Sequence, residues 1–412
     1  MYPRVSFHPL KSALAAAQDQ ILEVLVRITP PARAAARLPL NLALVIDCSG
    51  SMAGEKLETA RRVGLAALRR LRPQDRFSVI AFSGEARVLL PSTSGLDAAL
   101  AESRIRALRA GGGTALHEGW LEGATQVAAY LEGGQLSRVL LISDGEANVG
   151  LRDSREIAQQ AAGLAARGVS TSTFGMGDHY DEELLEQLAN AADGNYHYIA
   201  DTSALADIFE AELQGLSCTF GRQVSLGIEP DAALGIALQD VLNDFEVTPT
   251  GRCRLPNLQL GRPLEALVRL HVPAHAVPRA GAHAHVTDVR VAWNAPGFGE
   301  RRRLRVPLEL PVVTADAHTD LPCDVWVEAY AARLAVARHK ATALRALRRR
   351  DYGGAYAAMR EASGLLEETR DLPEMDAEYN SFLMIMQAMD EHDDARARKL
   401  ASSQTYRRRR GR

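Results

Sequence analysis

Apolar residues alternate with polar ones along QILEVLVRIT, residues 20 to 29. Leu22, Val24, Val26 and Ile28 share one face, and Glu23, Arg27 and Thr29 share the other. A period of two predicts a half-buried strand, which Pro30 and Pro31 end. From residue 41 the pattern changes. NLALVID is an unbroken apolar run, as in a strand covered on both faces. FSVIAF (77–82), ARVLL (86–90), RVLLIS (138–143), VSTSTFGM (169–176) and NYHYI (195–199) predict further strands. Helical patterns fall between them, over 56–70, 115–131, 154–167, 181–192 and 203–216. Strands alternating with helices predict an α/β domain with a doubly wound, mostly parallel sheet.

After residue 217 the period returns to two. Val224, Leu226 and Ile228 share a face, as do Leu264, Ala266, Val268, Leu270 and Val272. Val289, Val291 and Trp293 form another set, and Leu304, Val306, Leu308 and Leu310 a fourth. Separated by Pro/Gly turns, they predict an antiparallel β-sandwich. The strand at 20–29 has no place in a parallel sheet and is expected to pair into this β-domain, which makes the α/β domain an insertion. From Cys323 the chain reads as helical, with no Gly or Pro up to Asp351. Tyr352-Gly353-Gly354 reads as a turn, followed by helices over about 355–369 and 374–390. This predicts a C-terminal α-helical hairpin or bundle without a sustained 34-residue repeat. The expected organisation is a segment 1–37 carrying the strand at 20–29, an α/β domain 38–217, a β-sandwich 218–315, a helical domain 322–403 and a basic tail 404–412.

Composition narrows the class. Hydrophobic residues make up 47% and charged residues 24% of the 412, and the formal net charge is −3. Such a balance does not mark the whole chain for nucleic acid or a membrane. The four cysteines stand apart, as expected of reduced thiols. The first 20 residues lack an apolar core of signal-peptide length, and no apolar run approaches the roughly 18 residues of a membrane span. A cytoplasmic protein with no membrane partner is the expectation.

Candidate chemistry gathers where strands end. Asp47-x-Ser49-x-Ser51 follows the first buried strand, Thr114 follows a Gly-Gly-Gly loop, and Asp144 follows RVLLIS. Asp, Ser and Gly also make ordinary turns, so the first triplet alone allows either a turn or an ion site. In a doubly wound sheet, however, the carboxyl ends of neighbouring strands share one crevice. Two carboxylates and three hydroxyls are hard oxygen donors that suit Mg²⁺, with Mn²⁺ or Ca²⁺ as alternatives. Neutral hydroxyl ligands would leave the ion an electrophilic position for a partner's carboxylate.

DCSGSM, the GGGT loop and the SDGE turn resemble the von Willebrand factor type A domain of bacterial intracellular proteins and its metal-ion-dependent adhesion site. The resemblance covers about 38 to 217 and implies a Rossmann-like sheet with Mg²⁺ at its carboxyl edge. By motif, Ser49, Ser51 and Thr114 would coordinate the ion, with Asp47 and Asp144 beside them. Cys48 is expected to point into the sheet. The implied function is a binding module, not an enzyme, that captures an acidic side chain of a protein partner. Similar bacterial proteins work beside MoxR-type AAA+ ATPases. A second reading is a nucleic-acid-associated protein of the RNA-particle kind, using the arginine-rich end Arg407–Arg410 and Arg412. His117, one helical turn from Thr114, reads as structural, and His271, His275, His283 and His285 do not read as a metal site. No phosphate-binding loop, nucleophile elbow or zinc-protease helix is present.

Overall fold

The computed structural model describes residues 2–32, 38–94, 98–177, 180–295, 300–391 and 393–409. The chain opens with β1 (Arg4–Pro9), β2 (Leu14–Ala15) and β3 (Gln20–Thr29). An α/β unit follows: β4 (Leu40–Asp47), α1 (Glu55–Arg70), β5 (Arg76–Phe82), β6 (Ala86–Ser94), α2 (Ala98–Arg106), α3 (Leu116–Ala128), β7 (Leu136–Ser143), α4 (Ser154–Ala166), β8 (Val169–Met176), α5 (Glu182–Ala191), β9 (Tyr196–Ile199) and α6 (Leu205–Ser217). Then come β10 (Thr219–Pro230), β11 (Ala237–Val241), β12 (Cys253–Leu255), β13 (Leu258–Gln259), β14 (Leu264–Val272), β15 (His283–Asn294) and β16 (Arg301–Val313). The end is helical: α7 (Ala315–Thr319), α8 (Val325–Arg348), α9 (Tyr352–Glu368), α10 (Met375–Asp390) and α11 (Asp394–Arg409). Among the described residues two compact units result, one within 38–219, the other of 2–32, 220–295 and the described residues from 300 to 409.

The α/β unit holds one sheet in the order β6-β5-β4-β7-β8-β9, parallel except for β6. β4, β7 and β8 are buried along their whole length, which explains their unbroken apolar runs. Ile46 lies in register with Ile142, so β4 and β7 finish side by side. That is where strand order reverses, the point at which such sheets form a crevice. Helix α3 lies close over the sheet because two glycines face it. A Cβ on Gly119 would sit 2.5 Å from the Phe82 ring, and one on Gly123 would sit 2.4 Å from Val45 Cγ2. Fully buried Trp120 then donates its indole N–H to Thr171 Oγ1 at 3.0 Å. This packing fixes where α3 starts, at Leu116, two residues after Thr114.

A buried polar network ties α6 to the middle of the sheet. Arg138 of β7 donates to Glu212 at 2.5 Å and to Ser170 and Ser172 of β8 at 2.9 and 3.1 Å. Asn195 and His197 bond the other Glu212 oxygen at 2.8 and 3.2 Å. Burial alone would push the Glu212 carboxyl up. The His197 hydrogen bond, the Arg138 charge and the Ser172 hydroxyl outweigh burial and hold it well below the ordinary carboxylate range.

The second unit is built on two sheets, ordered β1-β3-β14-β11 and β12-β10-β15-β16-β2, with β13 on β10. β3 pairs with β14 across its full length, Leu264 opposite Ile28 through Val272 opposite Gln20. Val24, Val26, Ile28, Val268 and Leu270 from one sheet pack with Leu226, Val289, Val291 and Trp293 from the other. The first strand, β1, packs Val5 and Phe7 against this core; with only these two apolar residues at alternate positions, it was not anticipated.

Three differences from the sequence expectations have clear causes. The helical region does not stand apart. Leu25 and Leu267 interrupt the polar outer face of the first sheet and are covered by Val327, Tyr330 and Leu334 of α8. Tyr352-Gly353-Gly354 is not a turn but the first turn of α9. Asp351 caps it by accepting from Gly354 N at 2.9 Å, where helical N–H groups have no internal partner. The segment from 404 is not a separate tail up to Arg409. Residues 394 to 409 contain no Gly or Pro and continue as α11, whereas Arg410–Arg412 lie outside the described residues.

The Glu212 network generates a prediction. Glu212→Gln leaves the Arg138 guanidinium buried without its countercharge and should cost about 3–5 kcal/mol at neutral pH. A depressed carboxyl pKa contributes stability above the ordinary carboxylate value and loses it as pH falls through the folded value. The gap between wild type and variant in urea titrations should therefore be full at pH 7 and shrink in acid. A gap independent of pH would show that the charge of Glu212 is irrelevant.

Candidate metal centre

Five oxygen-bearing side chains meet at the carboxyl ends of β4 and β7. Asp47, the last residue of β4, accepts from Ser49 N at 2.7 Å through Oδ1 and from Ser143 Oγ at 2.6 Å through Oδ2. Those two bonds hold the carboxylate still. A single helical turn, Gly50–Met52, then lifts Ser51 beside Ser49, with the two hydroxyls 3.1 Å apart. Ser51 Oγ donates to Asp144 Oδ1 at 2.8 Å across the strand gap.

Thr114 reaches the same place from a different loop. Gly111 N donates to Cys48 O at 2.8 Å, and Gly50 N donates to Gly112 O at 3.2 Å. The glycine loop is thus laced to the Asp-x-Ser-x-Ser turn. Gly111 and Gly112 have φ of 158° and 87°; the second lies in the region that favours glycine. Thr114 N donates to Asn148 Oδ1 at 2.8 Å, and Asn148 N returns a bond to Thr114 O at 3.1 Å. A Cβ placed on Gly145 would lie 3.2 Å from Thr114 Oγ1 and 3.4 Å from Ser51 Oγ. Both hydroxyls therefore point into one small space that any side chain at 145 would begin to fill.

Asp47 and Asp144 are both fully buried. Burial, ahead of every other influence, pushes the Asp47 carboxyl up, with the Asp144 charge adding to it. Among the described residues the one cation bonded to the cluster is Lys56 of α1, whose Nζ lies 2.5 Å from Asp144 Oδ2. Asp47 accepts only from neutral donors, so the pair retains surplus negative charge. Hydroxyls in front and buried carboxylates behind fit a hard divalent cation such as Mg²⁺ and offer nothing thiophilic.

Other residues singled out by sequence lie elsewhere. Cys48 shares a face with Leu44 and Ile46 in the core, and burial followed by the Asp47 charge pushes its thiol up to about 12. His117 bonds Gln160 of α4 at 2.9 Å and lies tilted by 47° against the Trp120 ring, 5.9 Å between ring centres. His283 and His285 lie on the second sheet of the other unit, His285 being 3.6 Å from Asp288, and His271 lies on its first sheet. Among the described residues no group of three or more His, Cys, Asp or Glu is placed to hold a metal. Lys56, Ser143 and Asn148 were not anticipated. Ser143 stands inside the quoted RVLLIS run but reads there as part of a strand. Lys56 and Asn148 act through contacts 88 and 34 residues away in sequence.

Fold and site together define a class: a doubly wound sheet domain with a hydroxyl–carboxylate crevice at its carboxyl edge. Residues 41–211 match the von Willebrand factor type A domain, and the chain carries that domain. An uncharacterized protein of Synechocystis sp. is 31% identical over 286 residues, 67% of this chain and 66% of that protein. The uncharacterized protein YfbK of Escherichia coli is 34% identical over 193 residues, 46% of this chain and 33% of that one. The chain thus spans just under two thirds of the first relative's length and a third of the second's. A solved von Willebrand factor type A structure from Catenulispora acidiphila superposes with a TM-score of 0.70 at 19% identity, over 93% of this chain and 89% of the other, which is a likeness of fold. No helix among the described residues is long and apolar enough to cross a membrane.

Charge balance at the cluster predicts opposite effects of two substitutions in EDTA. Asp47→Asn removes a buried charge and should raise the melting temperature at neutral pH. A raised carboxyl pKa gives its stability below the ordinary value and loses it as pH rises, so this gain should fade on acidification. Lys56→Met removes the cation and should cost about 1–3 kcal/mol, less than for a fully buried pair because Lys56 is partly open to water. Equal melting temperatures for all three proteins would contradict this account of the cluster.

Proposed function

We propose that the chain is a metal-dependent protein-binding module. Type A domains often mediate such contacts, and the observation that carries the reading here is the convergence of Ser49, Ser51 and Thr114 hydroxyls in front of Asp47 and Asp144. In this reading Ser49, Ser51 and Thr114 hold Mg²⁺ directly, and Asp47 and Asp144 balance its charge from behind. When bound, the ion supplies an electrophilic position for a carboxylate. Asp47 orients Ser49 through its backbone N–H, Asp144 orients Ser51 through its hydroxyl, and Asn148 fixes the backbone of Thr114. Neutral front ligands leave the ion's charge incompletely cancelled, so an Asp or Glu of a partner protein completes the set. Among the described residues none near the hydroxyls is arranged as a general base, and His117 is engaged with Gln160. The role is therefore assembly or regulation of a protein complex, not turnover.

Two measurements test this. In isothermal titration of the full chain with MgCl₂, Ser49→Ala should weaken binding at least about tenfold, equivalent to about 1.4 kcal/mol. An affinity capture from source lysate should then be run with Mg²⁺, with EDTA, and with Asp47→Ala plus Mg²⁺. A protein retained only by wild type with Mg²⁺ is the expected result. Probing that eluate for a MoxR-type AAA+ ATPase tests the partner class to which the family resemblance points. Identical protein lists from all three arms would remove the ion as the bridge.

A further inference from the structure

Strand β16 begins RRRLRV, and its pleat sorts those residues. Leu304 packs against the sandwich core, whereas Arg301, Arg303 and Arg305 are exposed on the outer face. The neighbouring strand adds Arg290 opposite Arg305, and Arg252 approaches across Gly227, whose Cβ position lies 3.7 Å from Arg252 Cγ and 3.8 Å from Arg290 Cβ. Arg301 is pinned to the sheet, donating to Gln223 O at 2.9 Å, Asn294 Oδ1 at 3.0 Å and Ser225 Oγ at 2.8 Å. Its guanidinium pKa is lowered, first by burial and then by Arg303, Arg252 and Arg290 around it. Carboxylates answer only one end of the row. Glu229 and Asp288 lie 3.3 and 3.0 Å from Arg305, and Glu229 lies 3.8 Å from Arg290. Among the described residues Arg301 and Arg303 face no carboxylate.

The same strand is an edge. β16 pairs with β15 on one side, and on the other pairs with β2 only at Val312 and Val313. Among the described residues no strand pairs with the outer side of 301–311. Charged residues and the prolines at 307 and 311 are ordinary protection against pairing with other sheets. Three outward arginines at alternate positions do more than protect. They repel a second copy of this strand and complement a strand with carboxylates at i, i+2 and i+4, because both repeat every ~6.6 Å.

We propose that the Arg301–Val306 edge of β16 takes an extended acidic segment of another protein as an added strand, with Asp or Glu side chains facing Arg301, Arg303 and Arg305. A polypeptide fits better than a nucleic acid for three reasons. A polypeptide strand pairs with both the N–H and the C=O groups of an edge, whereas phosphates can accept from the N–H groups but offer the carbonyls no donor. The outward residues of β15 and β16 include no Phe, Tyr or Trp on which bases would stack. Glu229, Asp288 and Glu309 on the same face would repel a continuous polyphosphate. This site is independent of the metal centre.

The test is fluorescence anisotropy of the full chain in EDTA and low salt, with a fluorescein-labelled peptide of four Glu-Thr repeats. Saturable binding should appear. It should weaken at least tenfold in Arg301→Gln/Arg303→Gln/Arg305→Gln, and as much again for a peptide N-methylated at every second residue. Should the triple variant melt early, Arg303→Gln, which removes no hydrogen bond of the fold, should still weaken binding about threefold. No saturable binding, binding unaffected by the arginine changes, or equal binding of the N-methylated peptide would overturn strand addition. Tighter binding of a single-stranded oligonucleotide would overturn the choice of partner.

Discussion

Parallel pairing of β4 with β7 forces two aspartates together. With Ile46 opposite Ile142, the chain has no means of ending both strands in acid without crowding Asp47 and Asp144 at one edge. Both are buried, and burial of like charge is unfavourable unless something compensates it. The surroundings look like a response to that constraint. Ser143, the Ser49 amide and Ser51 supply neutral donors, and Lys56 supplies one positive charge. The geometry that makes the fold costly at this edge is the geometry that suits a small dication.

Much of the α/β unit was legible because burial on both faces writes unbroken apolar runs, and β4, β7 and β8 are such strands. Asp47, Ser49, Ser51, Thr114 and Asp144 stand out as candidates in the sequence because each ends or follows a strand or shortly precedes a helix. Less legible were residues whose role depends on distant pairing. Lys56 sits on a helix where an exposed lysine is unremarkable, and only the folded sheet brings it to Asp144. Leu25 and Leu267 fall at the polar positions of their alternating strands. They are apolar because α8 lies on them, a contact no local period encodes. The Gly-Gly at 353–354 misled for a related reason: glycine marks turns on average, but the first turn of a helix tolerates it when a residue such as Asp351 supplies the cap.

The sandwich unit is asymmetric in how its sheets are finished. The first sheet has an apolar inner face and an outer face shared between ion pairs, Arg27 with Glu265 and Arg269 with Glu23, and the seat of α8. The second sheet also has an apolar inner face, but its outer face is dominated by arginine. Two sheets of similar sequence period therefore present different chemistry, and a period-two pattern alone does not distinguish them. What distinguishes them is the identity of the residues at the polar positions.

The pairing of β3 with β14 also sets an order of events. Arg27 and Glu265 face each other across a separation of 238 residues. Closing a flexible loop of that length costs about 5 kcal/mol beyond the constant term for any loop. Until β14 has been made, β1 and β3 form at most a two-stranded ribbon with an open apolar face, which is marginal alone. The α/β unit, by contrast, contains all its own strands. During synthesis it can fold while the ribbon waits, and once folded it replaces most of the flexible loop by a fixed span between its ends. The nascent chain thus carries an unpaired, aggregation-prone hairpin for the time needed to translate some two hundred residues, and that exposure falls on the ribosome rather than on the finished protein.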